Sequence, residues 1–323
     1  MNARAAHRTA LTMLLLTNFF WGFSFPLTKA IVFLHQRLVP ASGNWFITAM
    51  TLAPRFLLGA AFMLAVAWRP TVDATAAERK QGFLLGLSAA IGMVFQIDGL
   101  QFISASTSAF LTQLYAILIP LYVAIRARRS PGASVWTACA LVLAGVAVLA
   151  QFSLREFHIG RGELETLVAS LFFMWQILTL ERKEFAGNRV MPVTALMFTT
   201  EAVVFCAMAV MTAPAPVALV TPWLSGPWLT FTLVLTGLCT IAAFSLMNRF
   251  QPAITATEAG LLYCTEPLFA SVLALFLPAL LSAWAGFDYA NETLTWRLLA
   301  GGGLITAANL LLQFRPVPKP AAA

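Results

Sequence analysis

Apolar residues in this chain come in long runs separated by short polar segments, with no sustained alternation. Ten such runs follow one another. Each approaches the ~20 residues that a helix needs to cross a ~30 Å hydrocarbon layer. The pattern predicts helices over Ala10–Phe33, Trp45–Trp68, Gln81–Ile103, Thr107–Ile125, Ala133–Phe152, Gly162–Leu180, Val193–Ala213, Trp228–Asn248, Ala253–Pro278 and Leu294–Phe314. Glycine, proline and charge collect in the connectors, as at Arg128–Gly132 and Glu181–Pro192. The joins at Ser104–Ser106 and Phe250–Pro252 are short enough to force antiparallel neighbours.

Composition and charge narrow the class. Of 323 residues, 60% are hydrophobic and 10% charged, against about 25% charged in a soluble domain. An ordinary soluble enzyme is excluded. The net charge of +7 is spread over connectors with no basic face or tail, so it sets membrane orientation and gives no nucleic-acid surface. With the N-terminus inside, the inner side holds 14 Lys and Arg and the outer side 4 (Arg37, Arg155, Arg161, Arg297). This bias predicts both termini in the cytoplasm. Lys29 and Arg55 lie within helices. Trp68, Trp223, Trp228, Trp284 and Trp296 fall near span ends, where interfacial aromatics belong. The first run lacks a cleavage pattern and reads as a retained helix. The cysteines Cys139, Cys206, Cys239 and Cys264 sit in apolar runs at unrelated spacings, which predicts small buried hydrophobes and no disulfide framework, metal or cofactor.

The two halves echo each other. DGLQFISAST (Asp98–Thr107) parallels NRFQPAITAT (Asn248–Thr257), and AFLTQLYAILIP (Ala109–Pro120) parallels AGLLYCTEP (Ala259–Pro267). Trp21 and Lys29 meet Trp175 and Lys183, and Arg55 in PRF meets Glu201 in TEA. A repeat of five helices is odd in number, so the second half enters the membrane inverted. Inverted repeats are the architecture of alternating-access carriers. The expected fold is an all-α integral membrane protein of ten transmembrane helices, in two inverted five-helix repeats, N-in and C-in.

FFWGFSFPLTK (Phe19–Lys29), PRF (Pro54–Phe56), SASTSAFLTQLYAILIP (Ser104–Pro120) and TATEAGLLYCTEP (Thr255–Pro267) carry a family resemblance. A positively charged loop after the fourth run and Gly145 in the fifth run fit with them. The sequence resembles the EamA-type branch of the drug/metabolite transporter superfamily over residues ~10–314. The resemblance implies a ten-helix carrier with repeats at 10–152 and 162–314 and a cytoplasmic tail at 315–323. It implies movement of small metabolites, amino-acid-like or toxic compounds, usually outward, across a bacterial cytoplasmic membrane. The run Gly162–Leu180 departs from the pattern, lacking the Gly and Pro that follow Trp21.

The candidate residues are those too polar for their depth. In the first run Asn18, Trp21, Gly22, Phe25 and Lys29 share about 100° of arc; the alternative for Trp21, Gly22 and Phe25 is helix packing. Arg55 lies about 15 Å into its helix and either pairs with Asp98 or grips an anionic substrate. Glu201, Glu258 and Glu266 have no basic partner at depth within their half, so they are the proton-coupling candidates. Glu266 could alternatively be tied to the carbonyl that Pro267 frees, predicted to be that of Tyr263. Gln101, Gln113, Tyr115, Trp175, Gln176 and Tyr263 complete the cavity candidates. The expected partners are the lipid bilayer and a small molecule; monomer and homodimer both stay open. A membrane-embedded enzyme needs a ligand or nucleophile set. The three histidines, His7, His35 and His158, fall in the tail or loops, with no HExxH and no P-loop. A channel or receptor lacks any repeated filter sequence or folded soluble segment.

Overall fold

The computed structural model describes residues 3–103, 108, 111–149 and 159–313. The Ser104–Ser106 join, Arg155, His158, part of the Ser104–Pro120 motif and the 315–323 tail lie outside them. The elements are α1 (Ala3–Leu38), α2 (Asn44–Val72), α3 (Ala76–Gly99), α4 (Tyr115–Ala127), α5 (Ala133–Leu149), α6 (Arg161–Leu180) and α7 (Val190–Thr212). Then come α8 (Gly226–Val234), a π-helical segment (Leu235–Ala242), α9 (Ala243–Phe250), α10 (Ala256–Tyr263), α11 (Glu266–Ala274), α12 (Leu277–Ala285) and α13 (Trp296–Gln313). Among the described residues, six helical rods are long and apolar enough to cross a membrane, and seven if the bent run α10–α12 counts as one span. The π segment joins α8 and α9 into the continuous rod Gly226–Ala253.

The packing is helix on helix throughout. α2 lies along α7, and α5 lies along α13. α3 packs on α6 and α7; the α8–π–α9 rod packs on α1 and α2. α1 also lies against α11, and α4 against α6 and α10. Small residues permit the closest approaches: a Cβ at Gly145 would come within 2.7 Å of the Gly301 carbonyl oxygen on α13. At the centre, the ring of Phe56 stands 5.2 Å from Phe205, 6.0 Å from Phe198 and 6.1 Å from Phe244.

Both ends of α3 are tied to the second half by arginine. At its start, Glu78 forms a capping box with Thr75 and receives Arg189 through Nε (2.8 Å) and Nη2 (2.9 Å). Planar, two-point pairing of this kind is the geometry at which guanidinium excels. At its end, the wholly buried Asp98 receives Arg161 Nη2 at 2.5 Å.

Two expectations change here. Ala253–Pro278 does not form one membrane-length helix. The chain breaks at Cys264–Thr265 and again at Leu275–Phe276, and α12 turns by 56° from the preceding pair. Pro267 and Pro278 each sit in the first turn of a new helix, where the missing N–H has no partner to lose. His7 and His35 also lie inside α1 rather than in a tail or loop.

Candidate functional site

The α10–α11 break is a polar discontinuity in the interior, and α1 meets it directly. Asn18, wholly buried, donates through Nδ2 to the Leu262 carbonyl oxygen and to Thr265 Oγ1, both at 2.8 Å. The Leu262 carbonyl oxygen, which also accepts from the Thr265 nitrogen at 3.0 Å, thus takes a side-chain donor from α1. One turn along α1, the Trp21 ring stands 5.4 Å from both Tyr263 and Phe244. Tyr263 donates its hydroxyl to Gln251 Oε1 (2.8 Å), and Gln251 Nε2 donates to the Ile177 carbonyl oxygen of α6 (2.8 Å). Phe25 is half-buried one turn beyond Trp21.

Gly22 serves the helix contact. A Cβ there would lie 2.7 Å from Phe269 Cβ and 2.9 Å from the Ala270 nitrogen, so α1 rests on the backbone of α11. Glu266 opens α11, where the helix dipole favours a negative charge. It is half-buried, and no hydrogen bond or ion pair engages it among the described residues. Tyr115 of α4, Cys239 of the π segment and Cys264 lie within reach of its charge.

The second discontinuity is the π segment, and α2 meets it with Arg55. The buried guanidinium donates from Nη2 to the Cys239 carbonyl oxygen (3.0 Å) and from Nε to Thr240 Oγ1. Thr236 Oγ1 lies 3.4 Å from the carbonyl oxygen of Arg55 itself. π turns are uncommon and concentrate at functional sites. Their wide winding leaves carbonyls in need of outside donors, and Arg55 supplies one.

The expected Arg55–Asp98 pair is absent. Asp98 is taken by Arg161, which also donates from Nε to Glu165 Oε1 at 2.8 Å. The reason is position: Arg161 opens α6 directly beside the end of α3, whereas Arg55 faces α7 and the π segment. The sequence did carry a signal, since Arg161 and Glu165 stand at i, i+4.

Glu258 leaves the interior as well. It closes a capping box at the start of α10, accepting from the Thr255 nitrogen at 2.9 Å while Thr255 Oγ1 accepts from its own nitrogen at 3.2 Å. His7 Nε2 lies 3.5 Å from its Oε1. The Thr-x-x-Glu spacing was legible as a cap. Beside it, Glu181 accepts from the Ala256 nitrogen (3.1 Å). Burial pushes the Glu181 carboxyl up from its ordinary range, the Ala256 bond pulls it back, and the Glu258 charge adds to the rise. On the same loop, the hydrogen bond from Lys80 holds Glu184 below the usual carboxylate range.

The remaining candidates are scattered. Gln101 bonds Thr48 Oγ1 (2.9 Å) at the edge of the bundle. Trp175 is exposed, with the Arg182 guanidinium 4.6 Å from its ring centroid. Lys29 is exposed, 5.5 Å from the centroid of the Tyr289 ring. Gln113, Tyr115 and Gln176 are buried; Gln113 Oε1 and Gln176 Nε2 have no partner among the described residues. Glu201, midway along α7, is wholly buried with both oxygens unpartnered among the described residues. The structure therefore brings together Asn18, Trp21, Tyr263 and Glu266 around one break and Arg55 around the other, with Phe244 packed between them.

Residues 8–151 match the model of the EamA-like transporter family. Over 268 residues the chain is 24% identical to an uncharacterized transporter of Archaeoglobus fulgidus, spanning 81% of this chain and 76% of that protein. A protein crystal structure superposes with a TM-score of 0.64 at 17% identity, covering 95% of this chain and 96% of the other. At that identity the likeness speaks for the fold.

Proposed function

From a multi-pass membrane protein whose residues 8–151 are an EamA-family domain, a membrane transporter of the drug/metabolite kind, we propose a secondary carrier working by alternating access. It exports a small metabolite, amino-acid-like or toxic compound across a bacterial cytoplasmic membrane and draws on the proton gradient. Ten spans in two inverted repeats, 10–152 and 162–314, hold both termini in the cytoplasm. Two observations support this topology. The charge bias of 14 to 4 holds only for an even count of spans. The largest packed pairs also map onto one another when each span of the first half is exchanged for its counterpart: the second span meets the seventh, the fifth meets the tenth, and the pair three–six mirrors the pair eight–one.

The observation that carries the reading is that two discontinuities in the second half, the Cys264–Thr265 break and the π segment, are each met by a polar side chain of the first half. Irregular backbone at membrane depth is tolerated where it is enclosed by protein or lines a cavity, and broken helices mark the substrate sites of inverted-repeat carriers. Asn18, Trp21, Tyr263 and Glu266 form the substrate end of this site, with Glu266 the side chain free to meet a ligand or a proton. No nucleotide is hydrolysed in this scheme.

The test is flux in proteoliposomes with and without a pH gradient, over a panel of small amines, amino acids and carboxylates. Asn18→Ala should lower transport of whichever compound moves, and Glu266→Gln should remove its dependence on the gradient. Full gradient-driven flux in Glu266→Gln would remove Glu266 from the coupling site. Sustained single-channel currents would replace the carrier reading with a channel.

A further inference from the structure

Glu201 is the interior acid for which the site above gives no role. Its side chain is wholly buried, and among the described residues neither carboxyl oxygen has a hydrogen-bond donor. Among the described residues, Arg55 on α2 is the charged group whose field reaches it, yet no ion pair joins them within 4.0 Å. The guanidinium is engaged by the Cys239 carbonyl oxygen and Thr240 Oγ1. The other elements packed on α7 bring neutral groups to this region. On α3, Gly86 lies against Met197 and Thr200; on α9, the Asn248 amide bonds Thr194 Oγ1 and contacts Met197. A carboxylate ion stripped of water and of donors, beside an arginine turned elsewhere, is a costly arrangement. A neutral carboxyl group in the same place is not.

We propose that Glu201 is a proton-binding site and that Arg55 transmits its charge state to the π segment. With the proton in place, Glu201 is neutral and Arg55 holds the π winding of Leu235–Ala242 through two bonds. When the proton leaves for the aqueous face then open, the carboxylate competes for the guanidinium, and the Cys239 carbonyl and Thr240 lose their donor. A π turn holds one residue more than the α turn it relaxes to. That relaxation turns the following helix by about 100° and shifts it ~1.5 Å. The following helix is α9, which carries Phe244, packed 5.4 Å from Trp21 and 6.1 Å from Phe56. Proton loss at Glu201 thereby reaches the aromatic wall of the substrate end. Arg55 is a positioning residue in this scheme and touches no substrate. The inference rests on the transport reading for its last link alone.

The test uses the full chain in detergent and in proteoliposomes. Infrared difference spectra across a pH titration should show a buried carboxyl band in the wild type that Glu201→Gln removes and Glu266→Gln does not. Amide hydrogen exchange, corrected for the intrinsic pH effect, should show residues 235–250 of the wild type losing protection as that band disappears. Glu201→Gln should keep protection at every pH. Arg55→Gln should lack it throughout, by about tenfold or more, tenfold being the scale of one charge-assisted bond, of which Arg55 makes two. Where Glu201→Gln does not fold, Glu201→Met makes the same prediction. Identical spectra for wild type and Glu201→Gln overturn the proton site. Identical exchange of 235–250 in wild type and Arg55→Gln overturns the link. If both results hold and no gradient drives flux of any compound, the proton site and its link stand and the transport reading falls.

Discussion

Gly22→Ala separates a packing glycine from one that opens onto ligand space. The added Cβ would sit 2.7 Å from Phe269 Cβ, 2.9 Å from the Ala270 nitrogen and 3.1 Å from the Phe269 carbonyl carbon. Carbon atoms at rest stand ~3.5–4.0 Å apart. The obstacles are backbone and a Cβ, which no side-chain rotation removes, so α1 and α11 must separate. Overpacking of this kind costs ~1–3 kcal/mol. Replacing a mid-helix glycine by alanine returns ~0.8–1.0 kcal/mol of helix propensity, so the net change is a destabilisation of ~0–2 kcal/mol. Gly303→Ala on α13 is the control, because its Cβ would meet nothing within 4 Å; it collects the propensity gain alone, ~1 kcal/mol. The two variants should therefore differ by ~1–3 kcal/mol, read as thermal midpoints of the detergent-purified proteins at one pH and one detergent concentration. Flux should also fall in Gly22→Ala, since Thr265 and Glu266 stand at the start of the helix that is pushed away. A Gly22→Ala midpoint equal to that of Gly303→Ala would refute the reasoning. A normal midpoint with weakened ligand binding would mean that the glycine faces the ligand.

Two further predictions concern charges at the ends of the bundle. A double-mutant cycle on thermal stability should find coupling between Asp98→Asn and Arg161→Gln, whose groups meet at 2.5 Å. The cycle with Arg55→Gln should be additive, because Arg55 faces Cys239 and Thr240; coupling of Asp98 to Arg55 would contradict the observed pairing. Burial raises the Glu181 carboxyl, so the folded state holds this proton more tightly than the unfolded chain. Its contribution is present below the unfolded value of about 4.3 and is lost as pH rises through the folded value. Glu181→Gln should flatten that part of the stability profile, measured as midpoint against pH from acid to neutral; an unchanged slope would show that Glu181 does not titrate across this range.

Much of the helical layout was legible because its cause is local. A run of apolar residues bounded by Gly, Pro and charge places a helix whatever it packs against: Trp45–Trp68 was expected and Asn44–Val72 is observed, and Gly162–Leu180 differs from Arg161–Leu180 by one residue. The break after Tyr263 was half legible. Pro267 announced a lost bond, but an isolated sequence cannot say whether a helix bends through a proline or restarts at it. At the restart Asn18, 244 positions away, donates to the Leu262 carbonyl oxygen, a partner that no isolated segment shows. The π segment left no mark in LTGLCTIA, whose residues wind as readily into an α-helix; its wide turns are held by a guanidinium from α2.

The same division runs through the polar residues. The sequence determined which side chains are too costly for their depth: Asn18, Arg55, Asp98, Glu201 and Glu266 stand out by residue type against an apolar background. The tertiary structure decided what each does. Asp98 went to Arg161 and Arg55 to a backbone carbonyl, while Glu258 moved to a cap and Glu201 was left without a donor among the described residues. Burial cost belongs to a residue and can be read from one. Satisfaction of that cost belongs to a pair, and the pair is set by which faces of distant helices meet.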